Sequence, residues 1–136
     1  MSLAEEAFHK SFNDIFFDPK KVDVFFKKFY QNFLACDSRI SEKFTNSDLE
    51  LLPSMLKHSF MHLVEMATTN KVSPRLHEIA NMHSQGQLNV TPELYDIWLE
   101  ALLNTVEEMS GQKDPLVREG WRQTLLPGIT YMKSRF

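Results

Sequence analysis

Among the five histidines of this sequence, His83 is the one whose surroundings could turn it to chemistry. Leu76, Ile79, Ala80 and His83 stand at i, i+3, i+4 and i+7, so the imidazole shares a helical face with three apolar residues. Two readings follow. The ring is either a core histidine satisfied by a backbone carbonyl, or the single axial ligand of an iron cofactor that fills an apolar cleft. His58 and His62 are four residues apart, a spacing compatible with metal ligation from one helix face. They lie opposite the Leu52, Leu56, Phe60 stripe with no third ligand in view, so they read as solvated, as do His9, His77 and the pair Glu107-Glu108. The sequence carries no glycine-rich phosphate loop, no Cys–His array and no nucleophile elbow.

The elements that must position His83 are helices. Ser73-Pro74 is a cap followed by proline at the first helical position, and Gly86 is close enough to end the helix they open. Thr91-Pro92 opens the next, with Tyr95, Trp98, Leu99, Leu102 and Val106 as its inward face. Asp18-Pro19 and Asp114-Pro115 repeat the same start signal, in which a side-chain oxygen takes an orphan N–H and proline has none to lose. Glycine totals only four and no sustained alternation occurs, so the expected class is all-α.

In order, residues 3–16 form a helix with Phe8, Phe12, Ile15 and Phe16 inward, and residues 19–35 a second with Val22, Phe25, Phe26, Phe29, Tyr30 and Phe33. A short helix runs through Ile40 to about Phe44. The polar loop Thr45-Asn46-Ser47-Asp48 offers Ser47 or Asp48 as a cap, and residues 45–52 are expected to form a mobile shoulder. The next helix is expected to begin at Pro53, with Leu52 extended before it, and to reach about Thr68. The last begins at Asp114-Pro115, with Val117, Trp121, Leu125 and Met132 inward, and Pro127-Gly128 is expected to bend or split it.

At 136 residues the chain is expected to form one domain, 1–136, able to bury a core without staples. A net charge of −3 provides no broad basic surface for nucleic acid or acidic membrane. A hydrophobic fraction of 43% with eleven phenylalanines speaks for an ordered globule. Cys36 is the sole cysteine, which excludes an internal disulfide and suits a reducing cytoplasm. No run approaches the length of a membrane span, and the first residues lack a secretory pattern, so a soluble cytoplasmic protein is expected.

Taken together, about seven helices, a short third one, little or no fourth (D) helix and one inward histidine resemble a bacterial-type globin. His83, then Val90-Thr91-Pro92-Glu93-Leu94-Tyr95 and Leu102-Leu103, is similar to the pattern of proximal histidine, Val-x-Pro-x-x-Tyr and a Leu-Leu pair. Phe44 is placed like the phenylalanine that stacks on the haem, and Tyr30, fourteen positions earlier, like a tyrosine that donates a hydrogen bond to bound oxygen. Leu52-Pro53 with Leu56 resembles the start of the distal helix, and Trp121 in the last helix also fits. The resemblance covers nearly the whole chain and implies haem b held by His83, with Phe44, Tyr30, Leu52, Leu56, Ile79, Tyr95 and Trp98 around it. Leu56, Phe44, Leu52 and Phe29 would keep the site dry, while Tyr30 and Trp98 would be the candidate donors.

Three departures from that family pattern bear on function. The link from His83 to Val90 is longer than usual, Leu52 stands where relatives carry histidine or glutamine, and the last helix lacks the glutamate that flavohaemoglobins pair with the proximal histidine. The last departure counts against nitric-oxide dioxygenase chemistry, and no reductase module accompanies the helices. The resemblance implies reversible binding of a diatomic gas, for oxygen transport or gas sensing, rather than an enzyme. It implies further a homodimer through the last two long helices, or a reductase or signalling partner acting in trans. Two rival readings stand beside it: a haem-free helical interaction domain whose cavity is filled by Phe25, Phe29, Phe33 and Phe60, and a haem enzyme that removes nitric oxide with a separate reductase, which the missing glutamate disfavours.

Overall fold

A computed structural model describes residues 1–45 and 50–136. Seven helices account for it: α1 (Leu3–Phe16), α2 (Pro19–Cys36), α3 (Ser38–Lys43), α4 (Leu52–Thr69), α5 (Pro74–Met82), α6 (Pro92–Ser110) and α7 (Pro115–Ser134), with no strand among the described residues. Ser47 and Asp48, expected to offer a cap, lie outside the described residues. The capping logic holds at three of the four Xaa-Pro starts. Asp18 accepts from the N–H of Lys20, Ser73 from that of Leu76, and Asp114 from that of Leu116. Thr91 precedes α6 with extended backbone but caps no backbone N–H with its side chain.

Three expectations are corrected. Helix α5 stops at Met82 rather than at Gly86, because the chain then closes on itself: Leu88 N–H donates to Met82 O and Val90 N–H to His83 O. Gly86, at φ +85°, belongs to that turn and not to the helix end. Leu52 begins α4 instead of standing extended before it, so Pro53 falls in the first turn, where a missing N–H costs nothing. Helix α7 runs through Pro127 as one element, so of the two outcomes expected there the split does not occur. Pro127 and Gln123, whose carbonyl it leaves without a donor, are both exposed, so water can take that carbonyl and no break is needed.

Helix α1 packs on α7, α2 on α6, and α4 on both α7 and α2. At their centre sits an aromatic cluster. Trp121, fully buried, stacks on Phe60 with centroids 5.7 Å apart and meets Phe8 edge-on at 5.1 Å. Phe12, Phe16, Phe25 and Phe26 complete it. The Trp121 indole N–H finds its partner in Ser11 Oγ at 2.7 Å, as a buried indole requires. Close approach is secured by two glycines of α7. A Cβ on Gly120 would sit 2.1 Å from the Ala4 carbonyl oxygen, and one on Gly128 2.5 Å from Leu63 Cδ2.

Candidate ligand cavity

On the other side of that cluster the helices leave a space between α4 and α5, closed by α3, α6 and α7. Helix α3 and the residue after it contribute Ile40, Lys43 and Phe44, and α2 adds Phe33. Helix α4 turns Leu56, Ser59 and Leu63 inward; α5 supplies Leu76 and Ile79 and ends on His83. Val90, Leu94, Tyr95 and Trp98 form the α6 side, and Ile129 and Met132 the α7 side. Its non-atom space, mouth included, is about 750 Å³, and about 120 Å³ can hold the centre of a water molecule. The second figure is the one to set beside the roughly 300–1,000 Å³ usual for small-molecule and cofactor sites, and it is smaller, so a ligand of cofactor size would need the open mouth as well as the enclosed space.

The polar atoms in this apolar wall are few. His83 is the residue that ends α5, at φ −85° and ψ −6°. The Ile79 carbonyl, one turn back, accepts both its backbone N–H at 3.0 Å and its ring Nδ1–H at 2.6 Å. With the proton on Nδ1, the ring's Nε2 is a bare lone pair, and it has no hydrogen-bond partner among the described residues. Burial lowers the His83 pKa from its ordinary 6.5, outweighing the opposing pull of the Ile79 carbonyl, so the imidazole is neutral at pH 7. The Tyr95 ring lies 6.4 Å from the His83 ring, and burial pushes its phenol up to about 12. The Tyr95 hydroxyl and the Trp98 indole N–H also lack partners among the described residues. Because no described side-chain N or O is both fully buried and unpaired, these atoms meet open space. Lys43 reaches across to donate to the Leu88 carbonyl at 2.9 Å, tying α3 to the loop after His83.

Comparison with solved structures is decisive for the family. A crystal structure from Pseudomonas aeruginosa PAO1, of a protein described as structurally highly homologous to a human hemoglobin, matches with a TM-score of 0.82 and 32% identity over 98% of each chain. The chain belongs to the globin family. No protein-family model matches this globin, and no curated protein does.

Of the residues expected at the site, the globin brings His83, Phe44, Leu56, Ile79, Tyr95 and Trp98 together around the cavity. Tyr30 and Leu52 are not among the lining residues. Tyr30 is half-buried against the core, and Leu52 is buried in the first turn of α4. Phe29 too stands behind the wall, its ring 5.5 Å from that of Trp98. The wall residue from α2 is Phe33, one turn further along the helix from Tyr30. Ser84, a candidate partner for the His83 ring, instead donates to the Asn81 carbonyl.

Sequence reasoning missed Lys43 and Ser59, polar residues that no apolar periodicity marks, and Val90, which the longer loop places. Leu76 and Met132, which share the inward faces read from the sequence, also line the cavity, as does Leu63.

Several residues read as solvated have partners. His62 Nδ1 lies 3.2 Å from Ser73 Oγ and 3.4 Å from Glu65. His77 meets Tyr131. Glu107 pairs with Arg118 at 2.6 Å, and Glu108 pairs with Lys28 and accepts from Asn32. No group of three metal-ligating side chains occurs among the described residues, His58 and His62 included.

Proposed function

We propose that this globin holds one haem b through Nε2 of His83 and binds a diatomic gas on it reversibly, for oxygen transport or gas sensing. The observation that carries the proposal is the state of the imidazole. Its Nδ1–H is spent on the Ile79 carbonyl, its Nε2 lone pair has no partner among the described residues, and the ring lines an apolar cavity that opens to the surface. A histidine that binds a metal ordinarily gives its other nitrogen to such an acceptor, which fixes the tautomer and raises ligand basicity. Haem, when bound, would supply an iron centre able to take up a diatomic gas.

The chain's own residues do the rest. Phe44, Leu56 and Ile79 exclude water from the cavity. Tyr95 and Trp98 hold the two unpartnered donors that can meet a polar ligand there, and because Tyr30 stands outside the lining we give them that role in its place. Lys43 at the wall provides a cation suited to the carboxylates of haem b. Covalent attachment is not indicated, since Cys36 is the sole cysteine and lies away from this cavity.

The haem-free alternative predicted that phenylalanines would fill the space. Phe25 and Phe60 belong instead to the Trp121 cluster, and of the four only Phe33 reaches the cavity wall. That arrangement supports an open site.

No helix among the described residues is long and apolar enough to cross a membrane, in keeping with the cytoplasmic location we infer. Titration of the purified protein with haemin tests the proposal. A Soret band saturating at one equivalent, shifted by CO after reduction, is expected; absence of any band overturns it. Pairing of two copies through α6 and α7 is part of the same proposal, and sedimentation as a monomer at micromolar concentration would remove it.

A further inference from the structure

The helix that leads into His83 is too short to stand by itself. Helix α5 has nine residues, whereas isolated helices shorter than about 12–15 residues are marginal in water. Its inward face, Leu76, Ile79 and Ala80, packs in the core, and its first turn is capped by Ser73, which His62 of α4 also contacts. Its outer face is held by the end of α7. His77 Nδ1 lies 2.5 Å from the Tyr131 hydroxyl, Arg135 donates to Asn81 Oδ1 at 3.4 Å, and Gln85 N–H donates to the Phe136 carbonyl at 3.1 Å.

These contacts have a direction. Since Arg135 takes up Asn81 Oδ1, Asn81 presents its Nδ2 donors to His77 Nε2, 3.2 Å away. His77 Nε2 therefore accepts, its ring proton sits on Nδ1, and Tyr131 Oη receives it. The chain of donors runs from Arg135 through Asn81 and His77 to Tyr131, leaving α7 and returning to it by way of two successive turns of α5. In those same turns lies Ile79, whose carbonyl fixes the azimuth of the His83 ring.

We propose that Tyr131 is a positioning residue for His83: by holding His77 it fixes α5 against α7, and so fixes the Ile79 carbonyl that orients the imidazole. The proposal rests on the haem-binding reading for its functional consequence, though the mechanical link it describes exists without haem. His77 is exposed and Tyr131 half-buried, so removing the bond between them loosens α5 without unfolding the protein. Tyr131→Phe keeps the ring and deletes only the acceptor.

The experiment has two arms. In the apoprotein, amide hydrogen exchange of residues 76–83 is compared between wild type and Tyr131→Phe. Loss of one hydrogen bond is expected to speed exchange there by about fivefold while α6 amides are unchanged. In the haemin-reconstituted, reduced protein, the iron–imidazole stretching band in the resonance Raman spectrum should shift or broaden in Tyr131→Phe at unchanged haem stoichiometry. His77→Ala cuts the same bond from the other side and should reproduce both effects, with no further change in the double variant. Unchanged α5 exchange in both single variants overturns the proposal, as does an unchanged stretching band in haem-loaded variants. If wild type takes up no haemin, the haem reading fails by itself and the exchange arm alone decides whether Tyr131 holds the His83 helix.

Discussion

Alanine at Gly120 and alanine at Gly128 should have unequal consequences, although both add one methyl to the same helix. A Cβ on Gly120 meets backbone: 2.1 Å to the Ala4 carbonyl oxygen, 3.1 Å to the Ala4 carbonyl carbon and 3.0 Å to Phe8 Cβ. Carbon contacts settle near 3.5–4.0 Å, so α1 must retreat from α7 by about 1 Å or more. That motion opens the Phe8–Trp121 contact and stretches the Trp121–Ser11 hydrogen bond. Overpacking costs about 1–3 kcal/mol and a strained buried hydrogen bond about 1 kcal/mol more, against about 1 kcal/mol gained from alanine's better helix propensity. The net is a loss of about 1–3 kcal/mol, or roughly 4–12 °C in Tm for a domain of this size. A Cβ on Gly128 meets Leu63 Cδ2 at 2.5 Å, the free end of a side chain, while Leu63 Cα and Cβ stay at 3.4 Å. Leu63 can rotate, the same propensity gain applies, and stability should stay within about 1 kcal/mol of wild type. Since Leu63 lines the cavity, haemin affinity should change in Gly128→Ala even though stability does not. Urea melts followed by far-UV circular dichroism, with haemin titrations alongside, check both. Wild-type stability in Gly120→Ala would refute the close α1–α7 crossing, and equal destabilisation by the two variants would refute the distinction between backbone and side-chain contact.

Ser11→Ala strips the buried Trp121 indole of its acceptor and should cost about 1–3 kcal/mol in urea melts; an unchanged midpoint would mean that the bond is not made. In the apoprotein, tyrosinate absorbance should resolve one of three tyrosines titrating near pH 12, and Tyr95→Phe should remove that step. Because the folded phenol holds its proton beyond the ordinary value of 10, the stability it contributes is present below pH 10 and declines as pH rises toward 12. His83 has the acid-side counterpart. Its folded pKa lies below 6.5, so the unfolded chain takes the proton first and stability falls as pH drops below about 6.5. Apoprotein melts between pH 7 and the acid limit should show a shallower dependence in His83→Gln, and an identical slope would contradict the burial assigned to the ring.

Much of this was legible in the sequence because its signals are local. Asp18-Pro19, Ser73-Pro74, Thr91-Pro92 and Asp114-Pro115 mark helix starts by their own chemistry, and each start is found within a residue of its place. Helix ends are less local. The stop at Met82 depends on Leu88 and Val90 donating back to Met82 and His83, a loop geometry that no residue of α5 announces. Tyr30 and Phe33 show the limit of periodicity. Both belong to the wide apolar face of α2, and only the packing of α6 against it decides that Phe33 reaches the cavity while Tyr30 stays at the edge of the core. Lys43, Ser59, His77 and Tyr131 acquire their roles from partners 45, 54 or more residues away or from a shared wall, and such pairings leave no mark in residue spacing.

The central claim is that a lone pair on His83 Nε2 is the haem-binding atom. His83→Gly, titrated with haemin in the absence and presence of free imidazole, tests it most directly. The variant should fold, lose the wild-type Soret band, and regain it when imidazole is supplied to the vacated space. Haemin uptake by His83→Gly with the wild-type spectrum and affinity, without imidazole, would contradict the account.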